Sequence, residues 1–253
     1  MLQGFGATGL YGARYGKKVP WVLALHGWRR DHRDFVATLT EPDVLDSIAV
    51  DLPGFGATPE PEVAYGSVEY ARALLGLLEE MADDVVVLGH SFGGRVAVQL
   101  AALAPVQVSG LVLSGVPWFR PPGARSRPTA RYRLARRAAR LGLLSEETLE
   151  AYRQRYGSAD YRASSGVMRE ILVKLLAEEY EEPLRAIACP VELVWGEDDS
   201  EAPLATAEAA KSLLGTAAAL RVLPRAGHLV PLSAPAELRG ALLRLGPVRR
   251  PAP

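Results

Sequence analysis

The stretch of sequence that decides the fold is VVVLGHSFGG, residues 85–94. It starts with four aliphatic residues, a run typical of a central β-strand, and the residues after it, 92–103, are small and apolar, as in a buried helix. A serine between glycines at a strand-to-helix junction is the G-x-S-x-G pattern. Its neighbours must be small so that the chain can turn sharply and expose the hydroxyl. Ser91 is therefore the candidate nucleophile.

Similar short apolar runs recur along the chain, and each ends at a turn. They cover residues 22–25, 47–50, 111–113, 191–194 and 220–223. Helical patterns lie between them, with Ser67 as the predicted N-cap of an apolar stripe over residues 71–81 and a last helix after Pro235. This alternation predicts an α/β fold with a doubly wound, mostly parallel sheet. The glycine-rich start, residues 2–15, predicts an antiparallel hairpin at the edge of the sheet.

One long stretch, residues 116–183, contains no candidate strand and several helical patterns. We therefore expect residues 1–115 and 184–253 to form the α/β core and residues 116–183 to form an inserted helical cap. Trp118 and Phe119, at the start of the insertion, are candidates for the wall of a substrate pocket. The arginines that crowd Arg120–Arg140 allow two interpretations: a pocket face for an anionic substrate, or a solvated face neutralised by nearby acids.

A serine hydroxyl needs a base to act as a nucleophile, and histidine is the usual one. The chain has four histidines, His26, His32, His90 and His228. His228 follows the last strand and precedes the last helix, which places it at the same carboxyl-end edge as Ser91, where open α/β sheets bind ligands. His90 adjoins the serine and should point away from it, and the other two lie in turns. His228 is the candidate base.

The third group, which orients the base, is expected between the serine and the histidine in the chain. The turn after the strand 191–194 offers Glu197, Asp198 and Asp199. Position alone does not choose between the two aspartates.

Taken together and in this order, the motifs resemble those of the α/β-hydrolase superfamily. The matching stretches are HGW at 26–28, DLPGFG at 51–56, GHSFGG at 89–94, GEDDSEAP at 196–203 and AGH at 226–228. The resemblance implies a serine hydrolase in which Asp199, rather than Asp198, orients His228. It also implies an oxyanion hole made by the backbone N–H groups of Trp28 and Phe92.

The resemblance implies acyl transfer on a small to medium carboxylic ester, through an acyl-enzyme and without a cofactor or a metal. The same three side chains also support C–C bond hydrolysis, cofactor-free perhydrolysis or pyruvate elimination. Arg95, four residues after Ser91, resembles an arginine of the pyruvate-eliminating menaquinone-pathway synthase and is a further candidate for the pocket. A slow, receptor-like binding protein on the same fold is the alternative outside enzymes.

Composition restricts the partners. The formal net charge is zero, so there is no whole-molecule argument for nucleic acid or for an anionic membrane. No apolar run approaches the roughly 20 residues of a membrane-spanning helix. Cys189 is the only cysteine, which excludes an intrachain disulfide and fits a reduced compartment. We expect a cytoplasmic protein with a small-molecule substrate, no nucleic acid partner and no membrane span; the oligomeric state stays open.

Overall fold

A computed structural model describes residues 2–119 and 159–246, together with residues 145, 148 and 150. The strands are β1 (Leu2–Phe5), β2 (Leu10–Tyr15), β3 (Val22–Leu25), β4 (Ser47–Asp51), β5 (Val85–His90), β6 (Val108–Ser114), β7 (Val191–Gly196) and β8 (Ala218–Leu223). The α-helices are α1 (Val36–Thr40), α2 (Ser67–Leu78), α3 (Phe92–Leu103), α4 (Ala159–Ala163), α5 (Gly166–Leu175), α6 (Glu181–Arg185), α7 (Leu204–Leu214), α8 (Val230–Ser233) and α9 (Pro235–Leu245). The cluster Arg120–Arg140 lies outside the described residues.

The strands of the described residues form one eight-stranded sheet in the order β1-β2-β4-β3-β5-β6-β7-β8. All pairs from β4 to β8 are parallel, which confirms the predicted fold class. The glycine-rich start forms the expected antiparallel hairpin, and its strand β2 pairs antiparallel with β4. Because the central strands run in the same direction, their carboxyl ends meet at one edge of the sheet.

The central strands are buried on both faces, which explains their continuous apolar sequence. Along β5, Val85 and Val87 face one hydrophobic cluster, whereas Val86 and Leu88 face the other. Helices α2 and α3 supply the first cluster, and α1 and α9 supply the second. The sheet therefore forms the middle layer of three, as a doubly wound fold requires.

Helix α2 begins one position away from the predicted start. Gly66 is the N-cap, and Ser67 is the first helical residue. The Glu69 carboxylate accepts a hydrogen bond from the Gly66 N–H at 2.6 Å, and the Glu178 carboxylate accepts one from the Ser67 N–H at 2.8 Å. The prediction of Ser67 as N-cap was wrong because two carboxylates, one of them distant in sequence, satisfy the first N–H groups of the helix.

The described part of the predicted cap, residues 159–183, contains helices and no strand. The border proposed after Pro183 falls inside α6, so a division of the chain would have to be drawn before or after that helix. Within the part of the chain that is described, no helix combines the length and the apolar character needed to cross a membrane.

Candidate active site

Ser91 occupies the turn between β5 and α3. Its backbone dihedral angles, φ 51° and ψ −116°, lie in a region that residues with a side chain rarely adopt, at a cost of about 1–3 kcal/mol. Two hydrogen bonds hold the turn: the Ser91 N–H donates to the Ser114 carbonyl at 2.8 Å, and the Gly94 N–H donates to the Ser91 carbonyl at 3.0 Å. The surrounding backbone therefore keeps this serine in a strained position at the carboxyl edge of the sheet.

The glycines around Ser91 are required by close contacts between backbones. A Cβ atom on Gly93 would lie 2.0 Å from the carbonyl oxygen of Leu25 at the end of β3. A Cβ atom on Gly89 would lie 2.6 Å from the Cα atom of Gly94. Since neither obstacle is a side chain that could move aside, both positions exclude any residue but glycine without a shift of the backbone.

We expect Gly93→Ala to destabilise the fold by at least about 1–3 kcal/mol, because the new methyl group overlaps a strand backbone. Gly227→Ala is the matched control, since a Cβ atom at Gly227, in another loop of the same edge, meets no atom within 4 Å. Urea unfolding would measure both midpoints. A Gly93→Ala midpoint equal to that of the control would contradict this account of the turn.

His228 and Asp199 form a hydrogen-bonded pair at the same edge. The His228 Nδ1 lies 2.9 Å from one oxygen of the Asp199 carboxylate and 3.1 Å from the other. The Asp199 side chain is fully buried and that of His228 is 10% exposed, so water does not compete strongly for the pair. A carboxylate on Nδ1 places the imidazole proton there and leaves Nε2 as the basic nitrogen.

The Asp199 carboxylate is held in its ionised form. Burial by itself raises the pKa of Asp199, but the hydrogen bond with His228 and those from the backbone N–H groups of Ala202 and Glu201 outweigh burial and lower the pKa below its usual value. The two backbone donors lie 2.8 Å and 2.9 Å from Oδ1. Asp198, by contrast, is exposed, so the structure places Asp199 and not Asp198 against His228.

Ser91 and His228 line the same cavity, whose volume is about 630 Å³. This volume lies within the usual range for sites that bind small molecules. Much of its wall is apolar. The described residues that line it are Gly27, Trp28, Arg29, Arg30, His90, Ser91, Phe92, Arg95, Pro117, Asp160, Leu172, Leu175, Leu176, Glu201, His228 and Leu229.

Trp28, in the loop after β3, and Phe92, the first residue of α3, are the predicted oxyanion donors. The Trp28 ring packs edge-on against Phe55 and Phe92, with centroids 4.9 Å and 5.5 Å away. Among the described residues, no backbone carbonyl accepts a hydrogen bond from the N–H of Trp28 or of Phe92. No described backbone carbonyl therefore competes for these two N–H groups.

Two contacts with the end of β4 fix the loop that carries Trp28. Before Trp28, the Leu52 N–H donates to His26 Nε2 at 2.9 Å, and His26 Nδ1 donates to the Gly27 carbonyl at 2.7 Å. After Trp28, the Asp51 carboxylate accepts hydrogen bonds from the backbone N–H and the Nδ1 of His32 at 2.8 Å and 2.7 Å. The contacts of His26, His32 and Asp51 thus hold the loop that carries Trp28.

His90 packs beside His228, but its ring forms a hydrogen bond with another residue. Its Nδ1 donates to the Ser114 carbonyl at 3.0 Å, and its ring centroid lies 4.9 Å from that of His228. Burial, with a smaller effect from the neighbouring His228, lowers the pKa of His90 to about 3, and the hydrogen bond to the Ser114 carbonyl offsets only part of this. His90 therefore remains neutral around neutral pH and forms a wall beside the His228 ring.

With this geometry established, comparison with known proteins shows the family. The sequence profile of the alpha/beta hydrolase family matches residues 22–241, which include every strand from β3 to β8. The chain belongs to the alpha/beta hydrolase family.

Three proteins illustrate the range of this alpha/beta hydrolase's relatives. A 2-succinyl-6-hydroxy-2,4-cyclohexadiene-1-carboxylate synthase of Enterobacter sp. (strain 638) is 26% identical, over 89% of this chain and 91% of the synthase. The lipase LipV of Mycobacterium tuberculosis is 40% identical over 41% of this chain and 40% of the lipase. A thermophilic esterase of Thermogutta terrifontis, solved with malate bound, is 25% identical, with a TM-score of 0.67 and 96% of each chain covered.

Relatives of this hydrolase include esterases, lipases and C–C hydrolases. These relatives, together with the family, support a hydrolase. For two of the matched relatives, however, the chain spans only 18% and 40% of the relative's length.

Arg95 lines the cavity, but its guanidinium donates hydrogen bonds to backbone carbonyls. Nη1 donates to the Leu175 carbonyl at the end of α5 at 2.7 Å, and Nη2 donates to the Pro117 carbonyl. The guanidinium also lies 5.3 Å from the centre of the Tyr180 ring. Arg95 therefore ties α3 to both ends of the described insertion.

Trp118 and Phe119 lie beside the site and are not among the residues that line the cavity. The Trp118 side chain is buried, with its ring centroid 5.7 Å from that of Trp195 on β7. Phe119 packs against the same hydrophobic cluster. Apolar side chains on this part of the cavity wall come instead from Leu172 and Leu175 of α5 and from Leu176.

One group of described residues has metal-binding donors: Asp31, His32 and Asp51, whose ligand atoms lie within 4.8 Å of one another. Both carboxylates already accept several hydrogen bonds from the protein. Asp31 accepts hydrogen bonds from Arg33, and Asp51 accepts the two from His32 described above. This group therefore fits a loop anchor better than a metal centre.

Cys189, the only cysteine of the chain, is not among the described residues that line the cavity. Burial raises the pKa of the Cys189 thiol to about 11, so the thiol stays protonated at neutral pH.

Sequence reasoning missed the two acidic residues among the described residues of the cavity wall, Glu201 and Asp160. Glu201 Oε2 lies 3.5 Å from His228 Nε2, and Asp160 forms an ion pair with Arg29 at 3.8 Å. The position of Glu201, two residues after Asp199, was the signal available for the first. No local pattern marks Asp160, because its partner lies on a distant loop.

Proposed function

We propose that this alpha/beta hydrolase is a serine carboxylesterase in which Ser91, His228 and Asp199 form the catalytic triad. The observation that carries the proposal is that His228 pairs with a buried, ionised Asp199 and lines the same cavity as a serine at a strained strand-to-helix turn. A nucleophile, a base and a group that orients the base are the three parts that acyl transfer requires.

In the proposed reaction, Ser91 Oγ attacks the carbonyl carbon of the ester while His228 Nε2 takes the hydroxyl proton. The N–H groups of Trp28 and Phe92 stabilise the oxyanion that forms. When the tetrahedral intermediate collapses, His228 returns the proton to the leaving alcohol and Ser91 carries the acyl group. Water, deprotonated by His228, then attacks the acyl carbon; the bond to Ser91 Oγ breaks, the acid leaves, and His228 returns the proton to Ser91 Oγ.

Asp199 supports both steps without exchanging a proton. Its carboxylate fixes the His228 ring with Nδ1 inward, and its negative charge stabilises the imidazolium that forms during each attack. Every group that the reaction uses belongs to this chain, so the proposal includes neither a cofactor nor a metal.

The apolar wall and the volume of the cavity support an ester of small to medium size. Leu172, Leu175 and Leu176 come from residues 159–183, so we also propose that the insertion 116–183 is a cap that shapes substrate preference. Initial rates on p-nitrophenyl esters of increasing acyl chain length test this: turnover should be measurable, with an optimum at short to medium chains. Binding of these esters without turnover would instead support the receptor-like alternative.

Pyruvate elimination is the alternative that the synthase relative suggests, because that relative covers most of the chain. An arginine that recognises a carboxylate would need its N–H donors directed at the ligand. Arg95 instead donates to the carbonyls of Leu175 and Pro117, which favours ester hydrolysis. Pyruvate elimination can be tested by incubating the protein with the synthase's substrate and detecting pyruvate with lactate dehydrogenase. Release of pyruvate would favour elimination over ester hydrolysis.

A further inference from the structure

Glu201 brings a negative charge to the reacting end of His228. Its Oε2 lies 3.5 Å from His228 Nε2, and its side chain is 70% exposed on the cavity wall. The backbone N–H of Glu201 donates to Asp199 Oδ1 at 2.9 Å, so the residue's position is fixed by the same carboxylate that orients His228. The carboxylate of Glu201 therefore faces the space in which His228 exchanges its proton.

The other charged groups of the wall have partners of their own. Arg29 pairs with Asp160 at 3.8 Å, and Arg30 Nε donates to Asp34 at 2.7 Å. Arg95 donates to backbone carbonyls. In the described part of the chain, no arginine or lysine lies within ion-pair distance of Glu201, so none of the described cations neutralises its charge.

The chemistry of the proposed reaction shows which part of a substrate meets this charge. His228 Nε2 must deliver its proton to the oxygen of the leaving alcohol, so the leaving group lies beside Nε2 and the acyl chain lies elsewhere. A carboxylate at this place attracts a positive charge on the leaving group and repels a negative one.

We propose that Glu201 is a specificity-determining residue that favours esters whose leaving alcohol or thiol carries a positive charge, such as an amino alcohol or its quaternary form. This inference rests on the proposed function, because it takes the leaving group to depart next to His228. Anionic leaving groups are disfavoured at the same position.

The test uses two thioesters that differ only in charge: acetylthiocholine and its neutral isostere, in which carbon replaces the quaternary nitrogen. The ratio of their kcat/KM values is measured for the wild-type protein, for Glu201→Gln and for Glu197→Gln. Glu197 is the matched control, because it is an exposed acid of the same turn and does not line the cavity.

We expect Glu201→Gln to lower the preference for the cationic ester about 2- to 5-fold, the range of an exposed ion pair. Glu197→Gln should leave the ratio unchanged. Raising the ionic strength should lower the ratio of the wild-type protein toward that of Glu201→Gln, because salt screens exposed charges.

Binding of the two leaving-group analogues, choline and its neutral carbon isostere, provides a readout that needs no turnover. Calorimetry should show weaker choline binding to Glu201→Gln than to the wild-type protein, and equal binding of the neutral isostere. If both thioesters are hydrolysed but neither the kinetic ratio nor the binding of choline responds to Glu201→Gln, the inference about Glu201 is overturned and the esterase stands. Absence of turnover by the wild-type protein, with choline binding still dependent on Glu201, would overturn the esterase instead.

Discussion

Replacing Ser91 with alanine should lower kcat for p-nitrophenyl acetate by about 10⁴-fold or more. Without the hydroxyl, His228 has no nucleophile to activate, and only the N–H donors of Trp28 and Phe92 and substrate binding remain to accelerate attack by water. KM should change much less than kcat, because alanine differs from serine only by the hydroxyl and leaves the rest of the cavity wall unchanged. Steady-state kinetics over a range of substrate concentrations separates the two constants.

The control for this experiment is Ser109→Ala. Ser109 lies at the amino end of β6, at the opposite edge of the sheet, and its hydroxyl donates only to the Val85 carbonyl at 3.3 Å. Its removal should leave kcat unchanged. If Ser91→Ala retained kcat within tenfold of the wild-type value, Ser91 would not be the nucleophile.

Asp199→Asn should have the second largest effect, a loss in kcat of roughly 10⁴-fold, the size known for the corresponding change in a serine protease triad. The amide can keep the shape of the side chain, but its NH₂ group would force the His228 proton onto Nε2, where the base must accept one. It would also remove the charge that stabilises the imidazolium.

Asp198→Asn provides the matched control, because it removes an exposed carboxylate one position away in the same turn. Its kcat should stay within a few-fold of the wild-type value. The structure gives Asp199, and not Asp198, the contact with His228, so a greater loss in Asp198→Asn would mean that the turn is arranged differently.

The fold could be predicted because its signals are local. The four apolar residues 85–88 predicted β5, and in the structure this strand continues two residues further, to His90. The start of α2 could not be predicted, since the Ser67 N–H is satisfied by Glu178, a residue 111 positions away. Helix caps provided by distant side chains leave no trace in the sequence around them.

In the candidate site, too, local motifs predicted some residues, whereas the positions of others depend on contacts between distant parts of the chain. Ser91 and His228 stand at junctions that the sequence marks by glycines and by strand order, and sequence reasoning could therefore place both at one edge. The orientation of Trp118 toward Trp195 depends on packing between separate elements, which no motif records. Glu201 was missed because an acid in an exposed turn looks like any solvated residue until its distance from His228 is known.

Labelling with a fluorophosphonate, followed by peptide mass spectrometry, tests the central claim most directly. The reagent phosphonylates a serine whose proton is removed by a neighbouring base, and the adduct stays on the attacking oxygen. We predict stoichiometric labelling of the peptide that contains Ser91, and loss of labelling in His228→Ala, which keeps the serine but removes its base. Labelling of another serine with Ser91 unmodified, or equal labelling of Ser91 without His228, would contradict the assignment of Ser91 as a nucleophile activated by His228.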